Sequence, residues 1–238
     1  MKKVFITIDV EQDCPPYLST VKGMEEGMPK LLDLFASENI AATFFVTGQM
    51  AELFPNLMHR IVNEGHELAC HGHTHRRFDQ MSYSEAEYEI KTAAAVLRQY
   101  ASVISFRAPN LSFPDAYLPI LIKNGFKIDS SIAKYKISRR YKVPVTPGLQ
   151  RIIVSFCCIC FRLPFFLTRF RLKNIENLIL FMHPWEFIDM SKTGIRFDCR
   201  LNTGEYAFNE LKRWIHHLKK ENYIFLMIRN EIEFILTD

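Results

Sequence analysis

The chain has 238 residues, 48% hydrophobic and 24% charged, which excludes a disordered or collagen-like polypeptide and suits one sizeable core. Its net charge is +4, and Lys and Arg are scattered apart from short runs at 136–142 and 162–173. That lacks the concentrated basic stripe of a nucleic-acid binder and leans only weakly toward an anionic surface or a lipid-phosphate substrate.

At the N-terminus, Val4–Ile8 is too short an apolar stretch for a signal peptide, and the expected location is cytoplasmic, with the inner membrane surface as a variant. The six cysteines (Cys14, Cys70, Cys157, Cys158, Cys160 and Cys199) form neither a disulfide framework nor a paired zinc site. Lys3–Ile8 reads as a strand buried on both faces. Gly27–Asn39 has helical spacing, Ala41–Val46 is a second buried strand, and Phe54–Asn63 is a helix stopped at Gly65. Glu67–Cys70 is a short strand running into a histidine cluster, and Ser84–Tyr100 is a helix opened by Ser84 and Glu87. Phe106, Pro114–Lys123 and Phe126–Ser130 give strand, helix and strand. The uncharged run Ile152–Phe161 is too short to span a bilayer, which needs about 20 residues. Leu178–Met182, Tyr206–Glu221 and Tyr223–Ile228 close the pattern as strand, helix and strand. Alternating β and α with short links and no linker predicts one α/β domain over residues 1–238, a parallel sheet or barrel.

Polar residues gather where these strands end, and catalytic groups in barrels sit at the C-terminal ends of strands. Asp9, Glu11 and Asp13 follow the first strand, His71, His73 and His75 the third, and then come Arg107, Asp129 and His183. Side chains two apart on a strand share a face, so Asp9 and Glu11 can point into one pocket, with Asp13 next; the alternative is that they merely open a turn before Pro15-Pro16. His71 and His75, four apart, bring two imidazoles to one side of a turn, and two such rings with a carboxylate are a common set for a divalent metal. His73 faces elsewhere, toward substrate or behind the ligands. Arg107 can pair with a pocket carboxylate and keep it ionised. Packing explains poorly a histidine emerging from an apolar strand, so His183 reads as functional, and Asp129 either orients it or caps a helix.

These residues fall into five ordered motifs: Thr7-Ile8-Asp9-Val10-Glu11, His71-Gly72-His73-Thr74-His75, Ser105-Phe106-Arg107-Ala108-Pro109, Gly125-Phe126-Lys127-Ile128-Asp129-Ser130-Ser131, and Leu180-Phe181-Met182-His183-Pro184-Trp185-Glu186. Together, over about residues 3–190, they resemble the polysaccharide deacetylase family, the NodB-homology or carbohydrate esterase family 4 group. The resemblance implies a distorted (β/α)7-type barrel, one divalent ion (zinc first, with cobalt, nickel and iron(II) also suited) and N-deacetylation of an amino sugar or polysaccharide. It implies Glu11, His71 and His75 as metal ligands, with Asp13 the alternative to Glu11. It further implies Asp9 as general base kept ionised by Arg107, and His183 as general acid supported by Asp129. Trp185, Pro109, Asn110 and His73 would contact substrate. Two departures stand out: the acids of the first motif are separated by one residue, and Asn110 replaces the usual aromatic after the proline of the third. Alternatives are a deformylase or deacetylase of a lipid-linked amino sugar, which Ile152–Arg171 would suit by meeting a membrane, and a non-catalytic metal- or carbohydrate-binding protein. For Ile152–Arg171 itself, a buried strand with a Phe-rich core segment is the simpler expectation.

Overall fold

The computed structural model describes residues 1–137, 142–156, 158–172 and 175–231. Part of the basic run at 136–142, Cys157, and Lys173 lie outside the described residues. In chain order the strands are β1 (Lys3–Val10), β2 (Thr43–Val46), β3 (Glu67–Cys70), β4 (Ser105–Phe106), β5 (Ile128–Ala133), β6 (Gln150–Val154), β7 (Asn177–Met182) and β8 (Ile224–Phe225). The helices are α1 (Met28–Ser37), α2 (Gly48–Leu53), α3 (Pro55–Asn63), α4 (Tyr83–Leu97), α5 (Leu118–Lys123), α6 (Phe165–Thr168), α7 (Phe197–Arg200) and α8 (Glu205–Lys220). They form two compact units, Met1–Ala42 with Phe156–Leu226, and Thr43–Ser155 with the stretch from Met227.

In the first unit β1 lies between β7 and β8, parallel to both, in the register Lys3↔Asn177 to Ile8↔Met182 and Lys3↔Ile224. All but the first residue of β1 is buried, as its unbroken apolar run requires. Trp214 of α8 forms the aromatic centre, with the rings of Phe161 and Phe165 at 5.1 and 5.5 Å. In the second unit β2 to β6 pair in sequence order, all parallel, with Cys70↔Phe106, Phe106↔Asp129 and Asp129↔Arg151 in one row. The buried carboxylate of Glu67 ties that sheet together. It accepts from Thr43 Oγ1 (2.8 Å), Ser105 Oγ (2.6 Å) and the backbone N–H of Arg229 (2.9 Å). Burial raises its pKa, opposed by those donors. The α/β class is therefore the observed one. Strand and helix alternate in both units and strands pair in parallel within each, as a (β/α) barrel fold requires.

Several local expectations are corrected. The capping box of α4 uses Ser82 and Glu85, two residues earlier than Ser84 and Glu87, with Ser82 Oγ accepting the Glu85 N–H and Glu85 accepting from the Ser82 N–H. Helix α2 was not expected at all. Beyond β6, the Phe-rich segment is only partly core: Phe161 is buried, but Phe166, Leu167 and Phe170 are 61%, 57% and 60% exposed. The cysteines Cys14, Cys70, Cys158, Cys160 and Cys199 are thiols, not joined in disulfides. Among the described residues no helix is long and apolar enough to cross a membrane.

Candidate active site

In the first unit, the register Ile8↔Met182 sends Asp9 and His183 off neighbouring parallel strands at the same end. Asp9, Glu11 and Asp13 are all buried there, and they differ in what holds them. Asp13 accepts from Thr20 Oγ1 (2.7 Å) and Lys22 N–H (2.9 Å) at one oxygen and from Gly23 N–H (2.8 Å) at the other. Both of its oxygens organise the loop that leads into α1. Glu11 instead faces the His183 turn, with Oε1 3.5 Å from Trp185 Nε1 and 3.7 Å from His183 Nε2.

His183 opens a single turn, Pro184–Phe187, whose position is set by the helical turn before α1. There Gly27 passes so close that a Cβ would lie 2.2 Å from the Pro184 carbonyl oxygen. Glu186, at the third position of the His183 turn, bonds His183 twice, through the backbone N–H (3.0 Å) and Nδ1 (2.8 Å). The carboxylate that orients His183 is thus Glu186, the role the sequence reading left to Asp129. The other oxygen of Glu186 is 2.7 Å from Nε of the buried Arg162. Burial pulls the His183 pKa down, but Glu11, Glu186 and Asp9 push harder, and it rises to about 9. Burial acts to raise Glu186, yet Arg162 and His183 hold it below the usual carboxylate range. Trp185 stacks on His183, with centroids 4.9 Å apart and planes at 19°. Cys158 lies beside His183 and Glu186 as a third potential metal donor, but Arg162 already occupies Glu186 with a positive charge.

In the second unit, His71 follows β3 and is buried, with Nδ1 2.8 Å from the Arg107 carbonyl oxygen. That oxygen can only accept, so Nδ1 carries a proton and is the donor, which leaves Nε2 as the ring nitrogen that can serve as a ligand. The His75 ring is 5.4 Å from it, centroid to centroid. His75 holds this position at φ 59, a conformation uncommon for a residue with a side chain. The loop is clamped by Glu89 of α4, which accepts from His73 N–H (3.1 Å), Thr74 N–H (3.0 Å) and Thr74 Oγ1 (2.7 Å). His73 itself lies on the start of α2, where a Cβ on Gly48 would come within 2.3 Å of its Nδ1.

Arg107 is fully buried. Its guanidinium sits over the Phe45 ring at 4.1 Å and donates to Ser130 through Nε to the carbonyl (3.3 Å) and Nη2 to Oγ (3.0 Å). Asp129 lies inside β5, not at a helix cap. Ser131 donates to its Oδ1, and Arg151 Nε is 2.6 Å from its Oδ2. Burial raises the Asp129 pKa while Arg151 opposes that. Arg151 also borders a groove of ≈710 Å³ with Asn110, Phe113 and Lys136. Asn110 is in the left-handed region at φ 58, and its carbonyl accepts from Lys136 Nζ (2.5 Å), while Pro109 is buried beside it. Glu186, Arg162, Glu89 and Arg151 were missed by sequence reasoning; only Glu186, three residues after His183, carried a readable signal.

The polysaccharide deacetylase profile matches residues 1–128, more than half of the chain. The chain belongs to the polysaccharide deacetylase family. A peptidoglycan deacetylase of Helicobacter pylori is 31% identical over 110 residues, 45% of this chain and 38% of that protein. The chain therefore spans well under half the length of that curated relative. A solved structure described as a putative polysaccharide deacetylase from Mycobacterium smegmatis superposes with a TM-score of 0.77 at 20% identity, over 99% of this chain and 90% of that one. A family 4 pseudoenzyme from Bacillus anthracis gives 0.66 at 19% identity, over 96% and 64%. At these identities the likeness is one of fold, and the fold hosts both active and inactive members of the deacetylase family.

Proposed function

We propose that this deacetylase-family protein hydrolyses an N-acyl group, N-acetyl first, from an amino sugar in a polymer or a sugar precursor. Water adds to the amide carbonyl, the C–N bond breaks, and acetate and a free amine leave. The observation that carries the reading is His183. It leaves β7 beside Asp9, its Nδ1 and backbone N–H are both gripped by Glu186, and Glu11 lies 3.7 Å from its Nε2. A packing histidine has no need of three acids.

A divalent ion fits the donors. We assign Glu11, His71 and His75 to hold it, on three grounds: His71 donates through Nδ1 and leaves Nε2 to serve as a ligand, His75 lies beside it, and Glu11 is a buried carboxylate. Asp13 is set aside because both of its oxygens already serve its own loop. Zinc suits this set first, with cobalt, nickel and iron(II) behind it. When bound, such an ion polarises the acyl carbonyl and makes water nucleophilic at neutral pH. Asp9 takes the proton from the attacking water, and Arg107 is assigned to keep Asp9 ionised. His183 passes a proton from Nε2 to the departing nitrogen, its Nδ1–H held by Glu186. Trp185 lines the acyl side of the site, and Pro109, Asn110 and His73 belong to the sugar-binding side.

The test pairs elemental analysis with acetate release from N-acetylated amino-sugar oligomers, using wild type and Asp9→Asn. Metal in both proteins, with turnover lower in the variant by about 10²–10⁴-fold, is the expected result. Equal turnover removes Asp9 as base. No metal in the wild type after reconstitution with zinc or cobalt leaves a carbohydrate-binding relative of the pseudoenzyme kind.

A further inference from the structure

Residues 156–175, all in the first unit, carry Arg162, Arg169, Arg171 and Lys173 and no Asp or Glu. Of this stretch, Arg162 is buried against Glu186 and Arg169 is exposed. Within it, helix α6 and the turn Arg169–Leu172 present Phe166, Leu167 and Phe170 to solvent, each more than half exposed. Solvated surfaces seldom place three large apolar side chains within five residues.

The exposure is built rather than frayed. Phe165 N–H donates to the buried carboxylate of Glu210 (2.8 Å), and the Phe165 ring stands edge-on to Trp214 and His217 of α8 at 5.5 and 5.0 Å. Thr168 is buried and its Oγ1 donates back to the Phe165 carbonyl (3.2 Å). One side of the segment is thus pinned to α8, and the apolar side is held outward. Arg169 is exposed on the same turn, its guanidinium 4.9 Å from the Phe170 ring centroid.

We propose that Phe166, Leu167, Arg169 and Phe170 form a docking surface for an anionic lipid bilayer. The rings and the leucine enter the acyl boundary, and Arg169 meets lipid phosphate at the headgroup level. Charge decides between occupants. A second copy meeting this face across a two-fold axis would bring Arg169 against Arg169, whereas an anionic leaflet supplies the missing negative charge. A soluble polyanion would satisfy the arginine and leave the three apolar groups in water. The inference does not depend on the hydrolase reading, since its readout is binding.

The test is co-sedimentation of the full chain with vesicles of mixed phosphatidylglycerol and phosphatidylcholine, beside vesicles of phosphatidylcholine alone. The expected result is sedimentation with the anionic vesicles that weakens with added salt. The variant carrying Phe166→Ser, Leu167→Ser and Phe170→Ser should lose at least about tenfold in affinity. Arg169→Glu alone, which leaves the Phe165 anchor intact, should weaken binding in the same direction and guards against a triple variant that fails to fold. Equal sedimentation of wild type and Arg169→Glu overturns the proposal. So does retention on a soluble polyanion without vesicle binding, or a concentration-dependent dimer that the serine substitutions abolish.

Discussion

Glu186 holds His183 Nδ1 at 2.8 Å with one oxygen and Arg162 Nε at 2.7 Å with the other. One buried carboxylate therefore couples a proton donor to a permanent cation. Replacing it with Gln keeps the shape but removes the charge that helps raise the His183 pKa to about 9. The raised value means that the acid form of His183 is present below about pH 9 and lost above it. Glu186→Gln should therefore lower kcat by about 10–100-fold and move the alkaline limb of the kcat–pH profile to lower pH. An alkaline limb that stays in place would show that His183 is not the titrating acid.

Glu11 and Asp13 offer a direct contrast. Glu11→Gln should abolish metal binding measured by elemental analysis. Asp13→Asn should retain the metal and lose about 1–3 kcal/mol of stability in denaturant unfolding, because its oxygens serve Thr20, Lys22 and Gly23. Metal loss in Asp13→Asn, with Glu11→Gln still loaded, would reverse the assignment.

The cap of α4 gives a test free of any active-site assumption. Ser82→Ala should cost about 1 kcal/mol, since it leaves the Glu85 N–H without its acceptor. Ser84→Ala, inside the helix, should cost a few tenths at most. Thermal melts of the two variants decide it, and equal losses would mean that the box is not formed.

Glu38 follows α1 and binds α8 through Lys219 Nζ (2.7 Å) and His216 Nε2 (3.0 Å). The Lys219 bond, opposed by slight burial and helped by His216, holds its pKa below the ordinary 4.5. A depressed carboxylate stabilises the fold above its unfolded pKa and loses that contribution as pH falls through its folded value. Glu38→Gln should therefore cost up to about 1 kcal/mol at neutral pH, and the difference from wild type should vanish in acid. A constant gap between the two unfolding curves from neutral pH into acid would exclude the ion pair as its source.

Much of the fold was legible because the strands are buried on both faces. The bounds of Glu67–Cys70 are legible because a helix stop at Gly65 precedes it and the His71–His75 cluster follows it. Helix α2 was illegible for a physical reason. It has six residues opening on Gly48, and it is held by the Thr47 cap and by bonds from Gly48 and Gln49 N–H to the carbonyls of Gly72 and His73. Those partners are distant in sequence. The same applies to Asp129, whose neighbour Arg151 belongs to the next strand, so that a sequence pattern left it available for His183. Spacing favours Glu11, on the face of Asp9, with Asp13 as the alternative, and the loop through Thr20 to Gly23 shows that both oxygens of Asp13 are already engaged.

Both units are assembled from separated stretches of chain, and β1 takes its partners β7 and β8 from beyond residue 176. A ribosome emits β1 early and must then make residues 11–176 before β7 can pair with it. The stretch 43–155 emerges meanwhile as a nearly continuous body, able to collapse while the first strand waits. Two of its fastenings, Ile228 N–H to Thr43 Oγ1 and Arg229 N–H to Glu67, arrive only after the stretch Phe156–Leu226 has been made. The apolar β1 is thus the segment for which a nascent-chain chaperone has the longest time to compete.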